Sequence, residues 1–310
     1  MKSDYLYALF LISVFLLLLL FTLNLLQREK ESFENIKVLY PTFYSDCFDN
    51  DGNEFTLKEG NYTINDLIKI SNQNPVIINR IEVPAGWKII LYSENNFEGS
   101  IKTIYMSECL IYSKFEKVNS IKVIQIPVLY DTCNLTGGSL PLDNGIYTLD
   151  MLRTNKNSTL NGDFLNSISS LSIPYGYIIT LFSKDNFMGY SVILDNTVSC
   201  LETSDYEFNN ITVSVKVENI PVVYESCDYD GFSLALHVGD HTLSNLKYLM
   251  EKRGYSKDIK GNISSVKVPD GMAITFWENE DLTGRSLEVT KNTSCLDSPF
   301  KIKSISVQNL

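Results

Sequence analysis

The sequence contains two histidines, and they stand together in "HVGDH", His237 to His241, with Asp240 between them. Two imidazoles beside a carboxylate are a donor set for a transition-metal ion. Any acid–base or nucleophilic scheme that needs an imidazole is confined to this stretch. Carboxylates also gather at Glu278, Glu280 and Asp281. Six cysteines, Cys47, Cys109, Cys133, Cys200, Cys227 and Cys295, could be reduced core thiols or disulfide partners, and disulfides would place the chain in an oxidising compartment. Asn-x-Ser/Thr triplets at Asn61, Asn134, Asn157, Asn210, Asn262 and Asn292 are glycan acceptors if they face a lumen. No glycine-rich phosphate loop is present. The formal charge of -11 argues against a nucleic-acid partner, because phosphate neutralisation needs clustered Lys and Arg.

The elements that must carry these residues are repeated. "LYSENNFEG" (Leu91 to Gly99) returns as "LFSKDNFMG" (Leu181 to Gly189) and as "FWENEDLTG" (Phe276 to Gly284). A proline precedes each aromatic at one fixed distance, as Pro84, Pro174 and Pro269, and a glycine follows each proline, as Gly86, Gly176 and Gly271. Upstream stand "YSDC", "YDTC" and "YESC"; downstream, Cys109, Cys200 and Cys295 each precede an alternating run such as "NSIKVIQI". Three units of roughly 85 to 95 residues therefore fill the chain from Ile36 to Leu310. Each unit also repeats within itself: a glycine followed two residues on by serine recurs as Gly137 with Ser139, Gly189 with Ser191, Gly231 with Ser233 and Gly284 with Ser286. Such a serine can hydrogen-bond the backbone of a folded hairpin. Short runs such as "WKIILY", "YIITLF" and "SISVQ" are rich in β-branched and aromatic residues and bounded by Gly, Pro, Asn and Asp, which predicts strands in sandwiches or barrels. "NLKYLMEKRG" predicts one short amphipathic helix stopped at Gly254. Within the repeat Gly239 aligns with Gly60 and Gly145, and His241 with Tyr62 and Tyr147, so His241 reads as a repeat-position substitute rather than a ligand.

Aromatic, four residues, Phe, one residue, Gly, doubled in each unit and followed by "SISSLSIP" or "NISSVKVP", resembles the βγ-crystallin family over nearly everything after residue 36. The resemblance implies an all-β fold: three tandem Greek-key sandwiches spanning 36–126, 127–220 and 221–310, each a pair of Greek keys. One cysteine pair falls in each unit, and the repeat selects Cys47 with Cys109, Cys133 with Cys200, and Cys227 with Cys295 from the fifteen pairings that six cysteines allow. Six reduced thiols are the competing reading. The short linkers "IPVLY" and "IPVVY" imply that neighbouring sandwiches pack closely.

Calcium is the ligand that the resemblance brings with it. Calcium-binding members carry Asn/Asp, Asn/Asp, two residues, Ser/Thr, Ser once per Greek key, and calcium takes six to eight hard oxygens. In the second unit "LNSISS" and "NNITVS" match at Asn166, Ser170, Asn209, Asn210 and Ser214; Leu165 and Val213 stand where donors belong. Asn210 is at once a loop residue and a sequon. "KGNISS" and "PFKIKS" in the third unit, and "VIINR" and "FEKVNS" in the first, depart further, which implies loss of the site there.

Ahead of the repeats, Tyr5 to Leu26 has no charged residue and is long enough to cross a bilayer, for which about 20 apolar residues suffice. A cleaved signal peptide is the alternative, but it has an apolar core of about 7 to 15 residues and a small-residue cleavage site, which "FTLNLLQREK" does not offer. Residues 1–35 are therefore expected to be a tail, a single transmembrane helix and a short tether, with the N-terminus cytoplasmic and the body lumenal or extracellular. The expected function is a non-catalytic, membrane-anchored ectodomain with a structural, adhesive or recognition role toward a protein or glycan partner. A released protease inhibitor or toxin-like effector and a glycan-binding module are the alternatives.

Overall fold

The computed structural model describes residues 39–48, 53–113, 115, 117–160, 167–203, 206–252 and 263–310. The expected transmembrane segment and the helix stop at Gly254 lie outside the described residues. Among those described, no helix is long and apolar enough to cross a membrane.

The described chain is almost entirely antiparallel sheet. The first part contains β1 (Thr42–Tyr44), β2 (Glu54–Thr56), β3 (Gly60–Thr63), helix α1 (Ile64–Ser71), β4 (Arg80–Glu82), β5 (Trp87–Tyr92), β6 (Ile101–Ile104), β7 (Glu108–Cys109) and β8 (Ser120–Gln125). They form two sheets, ordered β2-β1-β4-β7 and β3-β8-β5-β6. Strand β3 leaves its sequence neighbours to pair with β8, the last strand, while β7 crosses the other way to β4. This exchange is Greek-key connectivity, and it ties each sheet to both halves of the sequence.

The pattern repeats twice. Next come β9 (Val128–Tyr130), β10 (Ser139–Pro141), β11 (Gly145–Tyr147), α2 (Leu149–Arg153), β12 (Ser170–Ser172), β13 (Tyr177–Lys184), β14 (Met188–Leu194) and β15 (Ser214–Asn219), in sheets β10-β9-β12 and β11-β15-β13-β14. Last are β16 (Val222–Tyr224), β17 (Ser233–Ala235), β18 (Gly239–His241), α3 (Leu243–Lys252), β19 (Ser265–Lys267), β20 (Met272–Trp277), β21 (Ser286–Val289) and β22 (Ser304–Asn309), in sheets β17-β16-β19 and β18-β22-β20-β21. In these two pairs of sheets a single bridge, Leu171 to Val198 or Val266 to Thr293, stands where β4 meets β7.

Alternation explains how each pair closes. In β5, Trp87, Ile89 and Leu91 are buried while Lys88 and Ile90 are only partly so, the two-residue period of a strand with one face on a core. Ile89, Leu91 and Ile121 meet Phe43 and Ile81 in the first core. Leu129, Leu171, Ile179 and Val215 take the same places in the second, and Val223, Val266, Ile274 and Ile305 in the third.

The quoted stretches are hairpins folded down on the sheet. Tyr92 meets Phe97 edge-on with ring centroids 5.8 Å apart, and Phe182 with Phe187 and Tyr224 with Tyr229 repeat the contact, each at 5.7 Å. The fold requires a left-handed backbone at Asn96 and Phe97, Asn134 and Leu135, Asn186 and Phe187, Asp228 and Tyr229, and Leu282. What holds this unfavourable geometry is one serine on the strand alongside. The hydroxyl of Ser120 donates to the Glu94 carbonyl at 2.7 Å and accepts the Phe97 N–H at 2.9 Å. Ser170 does the same to Thr132 and Leu135, Ser214 to Lys184 and Phe187, Ser265 to Ser226 and Tyr229, and Ser304 to Asn279 and Leu282. All five serines are fully buried. The pinning serine is thus the one that opens β8, β12, β15, β19 and β22, and not the serine two residues after glycine that the local repeat suggests. Glycine has its own role: at Gly189, with φ +82°, an added Cβ would stand 2.5 Å from the Ser183 Oγ. At the sixth position, the start of β4, Arg80 replaces serine and lies over the Tyr44 ring, 4.0 Å from its centroid.

The three pairs of sheets touch through polar side chains. The Asp143 carboxylate accepts from Lys88 Nζ at 2.8 Å and from the Tyr105 hydroxyl. The Tyr175 hydroxyl accepts the Ala235 N–H at 2.6 Å and donates to the Ser233 carbonyl at 3.0 Å, beside an apolar contact of Ile178, Ile220, Val222 and Ala235. Lys267 reaches Glu59 at 3.4 Å, so the third pair also meets the first. Burial, reinforced by the Asp143 carboxylate, raises the phenols of Tyr105, Tyr147 and Tyr177 above their ordinary range, Tyr147 to about 12. Burial, with the Glu59 carboxylate next, does the same to Tyr224.

Two predictions follow from this packing. Ser120→Ala leaves the Glu94 carbonyl and the Phe97 N–H without the buried hydroxyl that joins them, and Gly189→Ala forces a side chain into a closed left-handed turn; each should cost about 1–3 kcal/mol in a urea titration at unchanged slope. A shift below about 0.5 kcal/mol, the size of an ordinary surface substitution, would show that the pin is dispensable. The raised phenols favour their protonated form in the folded chain, so their contribution is complete below pH ~10 and lost as pH rises through the folded values. The last part of the tyrosinate absorbance, that of the buried phenols, should therefore appear together with loss of the far-ultraviolet dichroism of the sheets above pH ~10; complete tyrosinate formation with the sheets intact would contradict the assignment.

Candidate functional site

The residue before each pinning position occupies one repeated place. The backbone N–H groups of Asn79, Asn119, Ser169, Val213, Ser264 and Lys303 donate to the carbonyls of Tyr44, Tyr92, Tyr130, Phe182, Tyr224 and Trp277. Each side chain at this place is thereby set beside the turn of a folded hairpin, and its chemistry decides what the turn can bind.

At Ser169 it is an oxygen among oxygens. Its Oγ is 3.3 Å from the Asp131 carbonyl and 3.3 Å from Asn210 Oδ1. Asn210 has a left-handed backbone, and its N–H donates to the Ile168 carbonyl at 3.0 Å, which joins the loop before β15 to the loop before β12. Next to it, Asn209 Oδ1 is buried with no hydrogen-bond partner, as is Thr212 Oγ1. An unsatisfied buried oxygen costs about 1–3 kcal/mol, and a hard cation held by neutral oxygens and a backbone carbonyl would remove that cost. Ser169, Asn209, Asn210 and the Asp131 carbonyl therefore fit calcium in donor type. Among the described residues no three His, Cys, Asp or Glu side chains gather as a metal cluster.

The structure sorts the sequence-derived set accordingly. Asn210 is brought together with Ser169, the Ser/Thr of the quoted pattern, and Asn209 precedes it in the loop with its Oδ1 buried and without a hydrogen-bond partner. Ser170 and Ser214 have their hydroxyls engaged as hairpin pins. Asn166 lies outside the described residues. Val213, at the place of Ser169 in the other half, offers no oxygen.

The other chemically capable residues are structural. Cys47 pairs with Cys109, Cys133 with Cys200 and Cys227 with Cys295, with Cα atoms 5.6, 4.7 and 4.6 Å apart. Each closes a loop worth about 4 kcal/mol in the chain-entropy model. His241 is buried in β18, and its Nε2 bonds the carbonyl of His237 at 2.8 Å, as the hydroxyls of Tyr62 and Tyr147 bond the carbonyls of Lys58 and Asp143. Glu278 is paired with Arg285 at 2.8 Å, which holds its carboxyl down at about 2. Of the sequons, Asn61, Asn134, Asn210 and Asn292 are exposed. Asn157 is half-buried along a cleft of about 250 Å³ that Tyr105, Met106, Ser139 and Thr159 also line. Asn262 lies outside the described residues.

No family model matches the chain. Development-specific protein S of Myxococcus xanthus is 29% identical over 180 residues, 56% of this chain and 96% of the relative. A homologue of that protein, also from Myxococcus xanthus, is 30% identical over 137 residues, 42% of this chain and 71% of the relative. Among solved structures, the N-terminal domain of protein S matches with 29% identity over 29% of this chain and 97% of its own, at a TM-score of 0.26. A βγ-crystallin domain from Flavobacterium johnsoniae matches with 29% identity over 29% of this chain and 96% of its own, also at 0.26. The chain belongs to the βγ-crystallin family.

Proposed function

We propose that this protein is a non-catalytic, membrane-anchored ectodomain: three tandem βγ-crystallin domains, 36–126, 127–220 and 221–310, carried behind an anchor in residues 1–35, with calcium stabilising the second domain. The observation that carries the reading is how the repeated polar side chains are used. Serines pin hairpins, His241 and its tyrosine counterparts tie turns, and the oxygens around Asn209 are the exception. A chain built this way presents surface rather than a reaction centre, which suits a structural, adhesive or recognition role toward a protein or glycan partner. The three disulfides support an oxidising compartment for the body. The exposed Asn61, Asn134 and Asn292 are the glycan acceptors that such a compartment would use; Asn210, whose Oδ1 faces Ser169, is the one at which a glycan and an ion would compete.

The test is a calcium titration by calorimetry of the full-length chain in detergent, with thermal melts in calcium and in chelator. The expected result is one site of micromolar affinity and stabilisation of about 2.7 kcal/mol at a free calcium concentration near 100 times Kd. Ser169→Ala and Asn209→Ala should remove the heat while leaving the melt in chelator nearly unchanged. Absence of heat together with coincident melts would sink the calcium reading.

A further inference from the structure

The first sandwich solves the same local problem without an ion. Asn79 and Asn119 stand at the two places equivalent to Ser169, because their N–H groups bond the carbonyls of Tyr44 and Tyr92 as that of Ser169 bonds Tyr130. Their side chains make the bond that the Ser169 hydroxyl makes to the Asp131 carbonyl at 3.3 Å, but more closely and through an amide. Asn79 Nδ2 donates to the Ser45 carbonyl at 2.7 Å, and Asn119 Nδ2 to the Ser93 carbonyl at 2.6 Å. Those carbonyls each belong to the residue after the hairpin aromatic, as the Asp131 carbonyl does beside Ser169. The residues here fit calcium poorly: at both places it is the NH2 half of the amide, a donor with no lone pair for a cation, that is turned to the carbonyl an ion would face, at 2.7 and 2.6 Å.

We infer that Asn79 and Asn119 are covalent substitutes for the bound cation, and that they make the first sandwich independent of calcium. Both halves of this sandwich carry the same replacement, each with a hydrogen bond shorter than the 3.3 Å that Ser169 makes. A serine hydroxyl reaches its carbonyl loosely and leaves oxygen to spare; the asparagine side chain is one bond longer and brings its NH2 to the carbonyl directly. The third sandwich departs in its own way. Lys303 holds the place of Asn119, and its charge helps hold the Glu278 carboxyl down, after the larger effect of Arg285. Pro299 and Phe300, at the places of Asn209 and Asn210, bring no side-chain oxygen. A fixed protein donor or cation thus stands at both places of the first sandwich and at one of the two in the third, whose other place is Ser264; the second sandwich, with Asn209 Oδ1 unpartnered, is the calcium-responsive part. That last clause rests on the calcium reading of Ser169 and Asn209; the role of the two amides does not.

Hydrogen exchange of the full-length chain in detergent, followed by mass spectrometry with chelator and with calcium, separates the two. In the wild type, peptides covering Ser45, Asn79, Ser93 and Asn119 should exchange at the same rate in both conditions. In the double variant Asn79→Asp, Asn119→Asp, which keeps the shape and removes the donors, the peptides at Ser45 and Ser93 should exchange about tenfold faster in chelator, the rate equivalent of about one lost buried hydrogen bond. Calcium should then slow them, because each new carboxylate turns a plug into a ligand. If the double variant does not fold, the single Asn119→Ser is read the same way at Ser93. Calcium slowing the wild-type peptides at Ser45 or Ser93, or variant peptides no faster than wild type in chelator, overturns the inference. Failure of the peptides at Ser169 and Asn209 to respond to calcium refutes the calcium reading instead, and the chelator comparison still decides the role of the amides.

Discussion

A buried serine hydroxyl that holds a folded hairpin against the neighbouring strand is the interaction on which the rest of this structure depends. Five of these hydroxyls each donate to one carbonyl and accept from one N–H within a turn whose backbone is left-handed. Such a turn stores strain, and burying its polar groups unpaired would cost more. The hydroxyl removes the second cost and offsets part of the first, while aromatic pairs such as Tyr92 with Phe97 cover the turn from outside. Because the pin sits at the first residue of a strand, the register of that strand and the position of the hairpin are set together.

This coupling explains why the place before the pin is chemically consequential. At three of the six places, Asn79, Asn119 and Ser169, the side chain standing there reaches the carbonyl of the residue after the hairpin aromatic. An amide caps that carbonyl in the first sandwich, a hydroxyl lies between it and Asn210 Oδ1 in the second, and the third has Lys303 at one of its two places. One backbone geometry, repeated, has been completed by different chemistries, and only one of them leaves oxygen atoms without partners.

The contacts between sandwiches follow a different logic. They rest on single polar residues, Asp143, Tyr175 and the Lys267–Glu59 pair, beside a small apolar patch at Ile220 and Val222. Each core closes within its own pair of sheets, so these contacts orient the sandwiches rather than fold them. Exposed ion pairs such as Lys267 with Glu59 contribute little by themselves; the Asp143 carboxylate, which accepts both an ammonium and a phenol, is the more specific link.

The repeat, its strands and its hairpins were legible in the sequence because each is a local or periodic property: alternating burial, glycines where only a left-handed backbone serves, and aromatics at a constant spacing. The cysteine pairing was legible too, since a threefold repeat leaves one consistent choice. The pinning serine is not the residue two after glycine, and sequence does not reveal it, because its partners lie 22 to 39 positions away along the chain and no local pattern shows them. For the same reason sequence does not tell Ser169 from Ser170: adjacent serines look alike, yet the hydroxyl of Ser170 enters the hairpin while that of Ser169 lies beside Asn210. Residue types and their period determined the fold. Which oxygens face one another was decided only by tertiary structure, because a hydrogen bond or an ion site needs groups within about 3 Å of each other, a separation that strand exchange between two sheets creates.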